Sequence, residues 1–259
     1  MNSDIILFIT SVLPVIIIAR YVYKKDRNKE PFEILAKLFI GGVASCFLVL
    51  IISSIIGKIF PIFAADSTTL NAYELFIYVF IGVALVEEVC KWVMSYFISY
   101  KDYDFDEFFD MIVYSVAVAL GFACFENLLY VFETGIYTGI LRAITAVPTH
   151  ACCGMLMGYY LGLSKIGLIN GRKDIYKKNM ILSIVVPLLL HGLYDYCLFL
   201  GRIETIVGIL IFMVFVYVYV IRKINKASKA TVKIVDKFCL QCGHIIDGQF
   251  CPMCGRKHN

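Results

Sequence analysis

Seven stretches of this chain are each apolar and long enough to cross a bilayer, and that feature confines it to one architecture. They lie near 4–22, 35–57, 75–98, 111–132, 139–163, 180–200 and 203–221. A helix rises about 1.5 Å per residue, so roughly 20 apolar residues cover the ~30 Å of hydrocarbon in a bilayer. The expected fold is an all-α polytopic membrane helix bundle of about seven transmembrane helices. Composition agrees: 60% of residues are hydrophobic and 17% charged, where soluble domains run nearer half and a quarter.

Charge sets the orientation. Arg20, Lys24, Lys25, Arg27 and Lys29 follow the first span, and Lys165, Arg172, Lys173, Lys177 and Lys178 follow the fifth. Arg222, Lys223, Lys226, Lys229 and Lys233 follow the seventh, whereas the outer loops offer only Lys58, Arg142 and Arg202. The positive-inside rule then places the N-terminus outside and the C-terminal segment in the cytoplasm, in a multi-pass protein of the cell membrane. The net charge of +4 is thereby explained by topology and by attraction to anionic headgroups of the lipid bilayer, and a nucleic-acid partner is not called for. The first span carries Asp4 and lacks both a basic leader and a cleavage pattern, so it reads as retained.

Composition changes at about residue 222, which divides the chain into a bundle (1–221), a basic linker (222–237) and a small C-terminal module (238–259). Cys239, Cys242, Cys251 and Cys254 form two CxxC turns, each followed by glycine. This is the pattern of a zinc ribbon, in which four thiolates close a tetrahedral Zn²⁺ site. A closed site has no position for substrate, so the expected role is structural or a platform for a cytoplasmic protein partner. A reducing cytosol disfavours the alternative of two disulfides. Cys46, Cys90, Cys124, Cys152, Cys153 and Cys197 fall within spans and read as packing residues.

Glu87, Glu88, Glu126, His150, His191 and Asp195 stand inside the apolar stretches, with Lys91 one turn from the first pair. Charge in hydrocarbon is costly and marks function. Glu87, Glu88, His150 and His191 lie near the middle of their spans, and Glu126 and Asp195 lie toward the outer face. Helical spacing pairs Glu87 with Lys91 and His191 with Asp195 at i,i+4. Two imidazoles and several carboxylates at matched depth suit metal- or carboxylate-assisted activation of water. Imidazoles and one carboxylate could hold a catalytic Zn²⁺ while a second carboxylate takes the proton. HExxH is absent, so such ligands must come from separate helices. A proton- or cation-coupled transporter is the rival reading, although no matched halves are evident. A non-catalytic scaffold recruiting partners through the ribbon is the third.

The residues resemble the PrsW family. Glu87-Glu88-Val-Cys-Lys91 reads as EExxK, Phe122 to Glu126 as FxxxE, and His191 to Asp195 as HxxxD. The likeness also takes in Asp110-Met-Ile-Val-Tyr-Ser, Gly121-Phe122-Ala123, Asn127, Tyr130, and His150 followed by Gly154 and Gly158, over roughly 75–200. It implies an intramembrane endopeptidase related to the CAAX-processing enzymes, with a membrane-protein substrate such as an anti-sigma factor. Within it, Glu87 or Glu88 is the expected base, and His150 and His191 bind metal or stabilise the oxyanion. Glu126 is the expected third ligand or water-orienting group, and Asp195 the partner of His191. Gly154, Gly158 and Gly162 form a small-residue stripe suited to close helix packing.

Overall fold

The computed structural model describes residues 3–100, 105, 107–229 and 253–255. Cys239, Cys242 and Cys251 of the expected zinc ribbon lie outside the described residues, and Cys254 is exposed. The helices are α1 (Ser3–Lys25), α2 (Phe32–Ile59), α3 (Ala72–Ile77), α4 (Val86–Ser99), α5 (Asp110–Thr134), α6 (Ile136–Ile144), α7 (Ala146–Ile169), α8 (Lys173–Phe199) and α9 (Ile203–Ala227). Among the described residues, six runs are long and apolar enough to cross a membrane: Asp4–Lys25, Phe32–Ile59, Asp110–Thr134, Ile136–Ile169, Lys173–Phe199 and Ile203–Ala227. The chain is a multi-pass membrane protein whose described residues fold as an all-helical bundle.

The third expected span takes a different form from the others. It is one continuous helical run in which α3 passes into a π-helical segment, Tyr78–Leu85, and then into α4. Neither α-helical part is long enough to cross alone; only together do they make the span. Asn71 starts the run with a capping box, accepting from the Tyr73 and Glu74 amides while the Glu74 carboxylate accepts from the Asn71 amide.

The fifth expected span, 139–163, is broken. Gly135, with φ of 91°, ends α5 and turns the chain into the short α6. Thr145, with φ −121° and ψ −72°, then separates α6 from α7.

Helix α5 is the centre of the bundle and packs against α1, α2, α4 and α7. Two glycine contacts show how tightly. A Cβ on Gly121 would lie 2.0 Å from the Phe39 carbonyl oxygen of α2, and one on Gly158 would lie 2.3 Å from the Met111 carbonyl oxygen. Gly154 and Gly158 therefore meet α5 directly, at a distance that a side chain would prevent, and Gly162 packs on Phe108 just before α5. In contrast, α1 and α9 are largely uncovered, and Ile16, Ile17, Val214 and Phe215 face outward, as lipid contact requires.

Contacts between helix ends agree with alternating spans. Ser228, just past α9, donates to the Lys25 carbonyl at the end of α1, and Tyr196 near the end of α8 donates to the Ala72 carbonyl at the start of α3. The two groups of basic residues, after α1 and after α9, thus share one side.

Candidate active site

Four helices meet at the level of the expected polar residues. Glu87 and Glu88 occupy the first turn of α4, directly after the π segment, a deviation that recurs next to functional groups. Because that segment alters the turn, it sets the direction in which both carboxylates point. Glu126 comes from α5, His150 from α7, and His191 and Asp195 from α8. The ring of Phe80 in the π segment packs on Gly192, where a Cβ would stand 2.7 Å from it, and this holds His191 beside the start of α4.

The cluster has a fully buried end and a partly exposed edge. Glu88 is 0% exposed and Lys91 1%, whereas the side chains of Glu126 and Asp195 keep 19% and 18%. At the buried end the Lys91 ammonium donates to Glu88 Oε1 at 2.7 Å and to Glu87 Oε2 at 3.4 Å. It also lies 3.2 Å from His150 Nδ1 and 4.2 Å from the centre of the Phe122 ring. A buried cation with these neighbours offsets the two adjacent carboxylates, which hydrocarbon would otherwise force to neutralise.

Each histidine is backed by a carboxylate. His191 Nδ1 lies 2.9 Å from Glu88 Oε1, leaving Nε2 at 3.1 Å from Asp195 Oδ2 and 3.8 Å from Glu87 Oε2. His150 Nε2 lies 2.8 Å from Glu126 Oε2, leaving Nδ1 toward Lys91. The two rings stand nearly perpendicular with centroids 5.0 Å apart. A carboxylate on one ring nitrogen fixes the tautomer and aims the other nitrogen, the arrangement found behind metal-ligating histidines.

Glu87, His150 and His191 each bring a ligand atom within 4.8 Å of the others, so these three could hold a metal ion. Two imidazoles and one carboxylate form a donor set suited to a catalytic Zn²⁺ with an open position. The expectation from sequence had Glu126 in this set; here Glu87 stands in the group, and Glu126 engages His150 Nε2 and Arg142 Nη2, each at 2.8 Å. Lys91 lies against two of the three donors, so a bound ion and the ammonium would share a small space.

The structure thus brings all six expected residues into one connected network. It adds Arg142, which the reading of the sequence left in an outer loop although it fell inside the expected fifth span. A cation within an apolar run was the signal that could have drawn it in. Phe122, through its ring contacts with Lys91 and His150, is a second addition.

Comparison with known proteins agrees with the motifs. The family described as PrsW family intramembrane metalloprotease matches residues 30–221. The protein named Protease PrsW in Oceanobacillus iheyensis is 33% identical over 221 residues, which is 85% of this chain and 95% of that relative. Its namesake in Bacillus subtilis is 34% identical over 222 residues, again 85% and 95%. That of Clostridioides difficile is 29% identical over 234 residues, or 88% and 94%. No solved structure matches the chain.

Proposed function

Since the chain belongs to the PrsW family of intramembrane metalloproteases, we propose that its reaction centre is the space shared by Glu87, His150 and His191. The observation that carries this reading is the approach of their donor atoms to within 4.8 Å of one another, each histidine backed by its own carboxylate. These residues would hold the metal, which when bound polarises the peptide carbonyl or the attacking water. Glu88 and Glu126 orient His191 and His150. Lys91 balances the charge of Glu87 and Glu88 in a site without bulk water. Asp195, partly exposed and 3.1 Å from His191 Nε2, is the carboxylate placed to take the proton of an incoming water.

The adjacent glutamates divide their work. Glu88 is enclosed by Lys91 and His191, which suits support, whereas Glu87 keeps 11% of its side chain exposed and faces the centre. A second reading rests on Lys91, 3.2 Å from His150 Nδ1 and 3.4 Å from Glu87. Its charge would then stand in for a metal, with Glu87 as the base. Exhaustive chelation separates the two: lost activity that returns with Zn²⁺ favours the first, and unchanged activity the second.

The substrate is a membrane protein, and within that class we propose a single-span regulator of the anti-sigma type. The exposed edge at Asp195 lies next to Tyr196, whose hydroxyl meets the start of α3 away from the basic loops. With the basic loops on the cytoplasmic side, this supports an outer N-terminus and cleavage near the outer surface, and it would leave the C-terminal ribbon in the cytoplasm, free to meet a protein partner there. The test compares new protein N-termini in membranes carrying the wild type or Glu87→Gln at equal levels. Termini that vanish with the variant are expected; identical profiles would overturn the assignment.

A further inference from the structure

Glu126 sits at the partly exposed edge of the site with 19% of its side chain uncovered, so packing alone does not hold its carboxylate in place. Its Oε2 nonetheless stays on His150 Nε2, and the same oxygen lies 2.8 Å from Arg142 Nη2. The guanidinium is itself braced. Its Nε donates to Asn127 Oδ1 at 3.0 Å, and its Cζ lies over the Tyr130 ring, 4.1 Å from the centre. Asn127 is fully buried and donates in turn to the Ser11 carbonyl of α1 at 3.0 Å.

Arg142 reaches this place only because α6 is set off between Gly135 and Thr145. The Tyr217 hydroxyl of α9 donates to the Thr145 carbonyl at 3.0 Å and fixes the bend. The brace therefore runs from α1 and α9 through α6 to His150.

The geometry assigns to Arg142 the task of a positioning residue that locks Glu126 onto His150. It rests on the reading that His150 belongs to the reaction centre. Arginine is required: one side chain must contact a carboxylate, an amide oxygen and an aromatic face at once, and the planar fork does this where an ammonium does not.

The test uses the full-length protein in proteoliposomes and a single-span reporter built on a membrane segment that the wild type cuts. Loss of an outer partner of a site histidine typically costs about 10–100-fold. Arg142→Gln should lower kcat by that factor with KM within about twofold, and Arg142→Lys should recover only a minor share. In a Glu126→Gln background, Arg142→Gln should add less than about twofold, because the two act as one unit. Arg202→Gln, on an exposed outer residue, controls for lost surface charge.

Wild-type kcat in Arg142→Gln would overturn the assignment, as would losses that multiply with Glu126→Gln, or a raised KM at unchanged kcat. If Arg142→Gln fails to accumulate, Arg142→Lys decides: wild-type turnover overturns the assignment and a kcat-only loss supports it. Glu87→Gln is run alongside. Its full activity would sink the reading of the site, whereas an inactive Glu87→Gln beside a normal Arg142→Gln would sink this inference alone.

Discussion

Replacing Lys91 with methionine isolates the electrostatics of the inner site. Methionine matches most of the stem of lysine, so the cavity is small and the change is the loss of one buried charge. That charge is 1% exposed and meets Glu88 at 2.7 Å, Glu87 at 3.4 Å and His150 at 3.2 Å. Without it, Glu88 keeps only His191 as partner, and Glu88 Oε2 already has none. Removing one partner of a buried pair costs about 3–5 kcal/mol, a large part of the ~5–15 kcal/mol that holds a domain folded. Trp92, the sole tryptophan, reports on this region, since its Nε1 donates to Ser183 of α8 at 2.8 Å. Unfolding in mixed micelles, followed by its fluorescence, should show a loss in that range for Lys91→Met. Lys91→Met/Glu88→Gln should regain much of it, because no uncompensated charge remains at Glu88. A loss below about 1 kcal/mol, or a double variant no better than the single, would refute the view that Lys91 compensates buried charge.

The contact between α5 and α7 predicts that Gly158→Ala harms the site from a distance. Its Cβ would meet backbone at 2.3 Å where ordinary contact begins near 3.4 Å, so the helices must part by about 1 Å. The cost should be about 1–3 kcal/mol, with turnover down by as much as ~100-fold as His150 draws away from Glu126. Gly208→Ala, with nothing within 4 Å, should be neutral in both assays. The zinc ribbon expected from the two CxxC turns predicts a separate metal. Elemental analysis of the purified chain should lose about one Zn²⁺ when Cys239 and Cys251 are both changed to serine. Turnover of the reporter should persist; its loss would count against a purely structural or recruiting ribbon.

Much of the site could be read from the chain because ionisable groups in hydrocarbon have few innocent explanations. The spacing of Glu87 with Lys91 and of His191 with Asp195 already implied pairs on one face, and both pairs are in contact. The glycine stripe of α7 was equally legible, since small residues at helical spacing have little purpose apart from close approach. Less legible were the features that depend on departures from regular helix. Hydropathy sees one span at 75–98 and one at 139–163, and it cannot distinguish a π segment or a bend at Thr145 from continuous α-helix. Arg142 was missed for that reason: on a straight fifth span it is a residue near the outer surface, whereas on a folded-back α6 it reaches α5.

The same departures explain why the carboxylate that faces the two histidines could not be chosen from sequence. Side-chain direction in a helix follows from about 100° of rotation per residue, so neighbours such as Glu87 and Glu88 must face different surroundings. Which of them faces the centre depends on the phase accumulated by the preceding turns. An eight-residue π segment directly upstream shifts that phase by an amount no apolar pattern records, because Tyr78–Leu85 is apolar on every side. In the folded chain the result sends Glu88 toward Lys91 and His191 Nδ1, and leaves Glu87 facing His191 Nε2. Glu126 has the same chemistry as Glu87 but stands on His150 Nε2 and Arg142 instead of between the two rings. It is drawn away by Arg142, a cation supplied by a helix that exists only because the fifth span breaks. Which carboxylate faces the two histidines is thus a property of two irregular turns, and the chemistry of the motif residues fixes only which groups compete for the place.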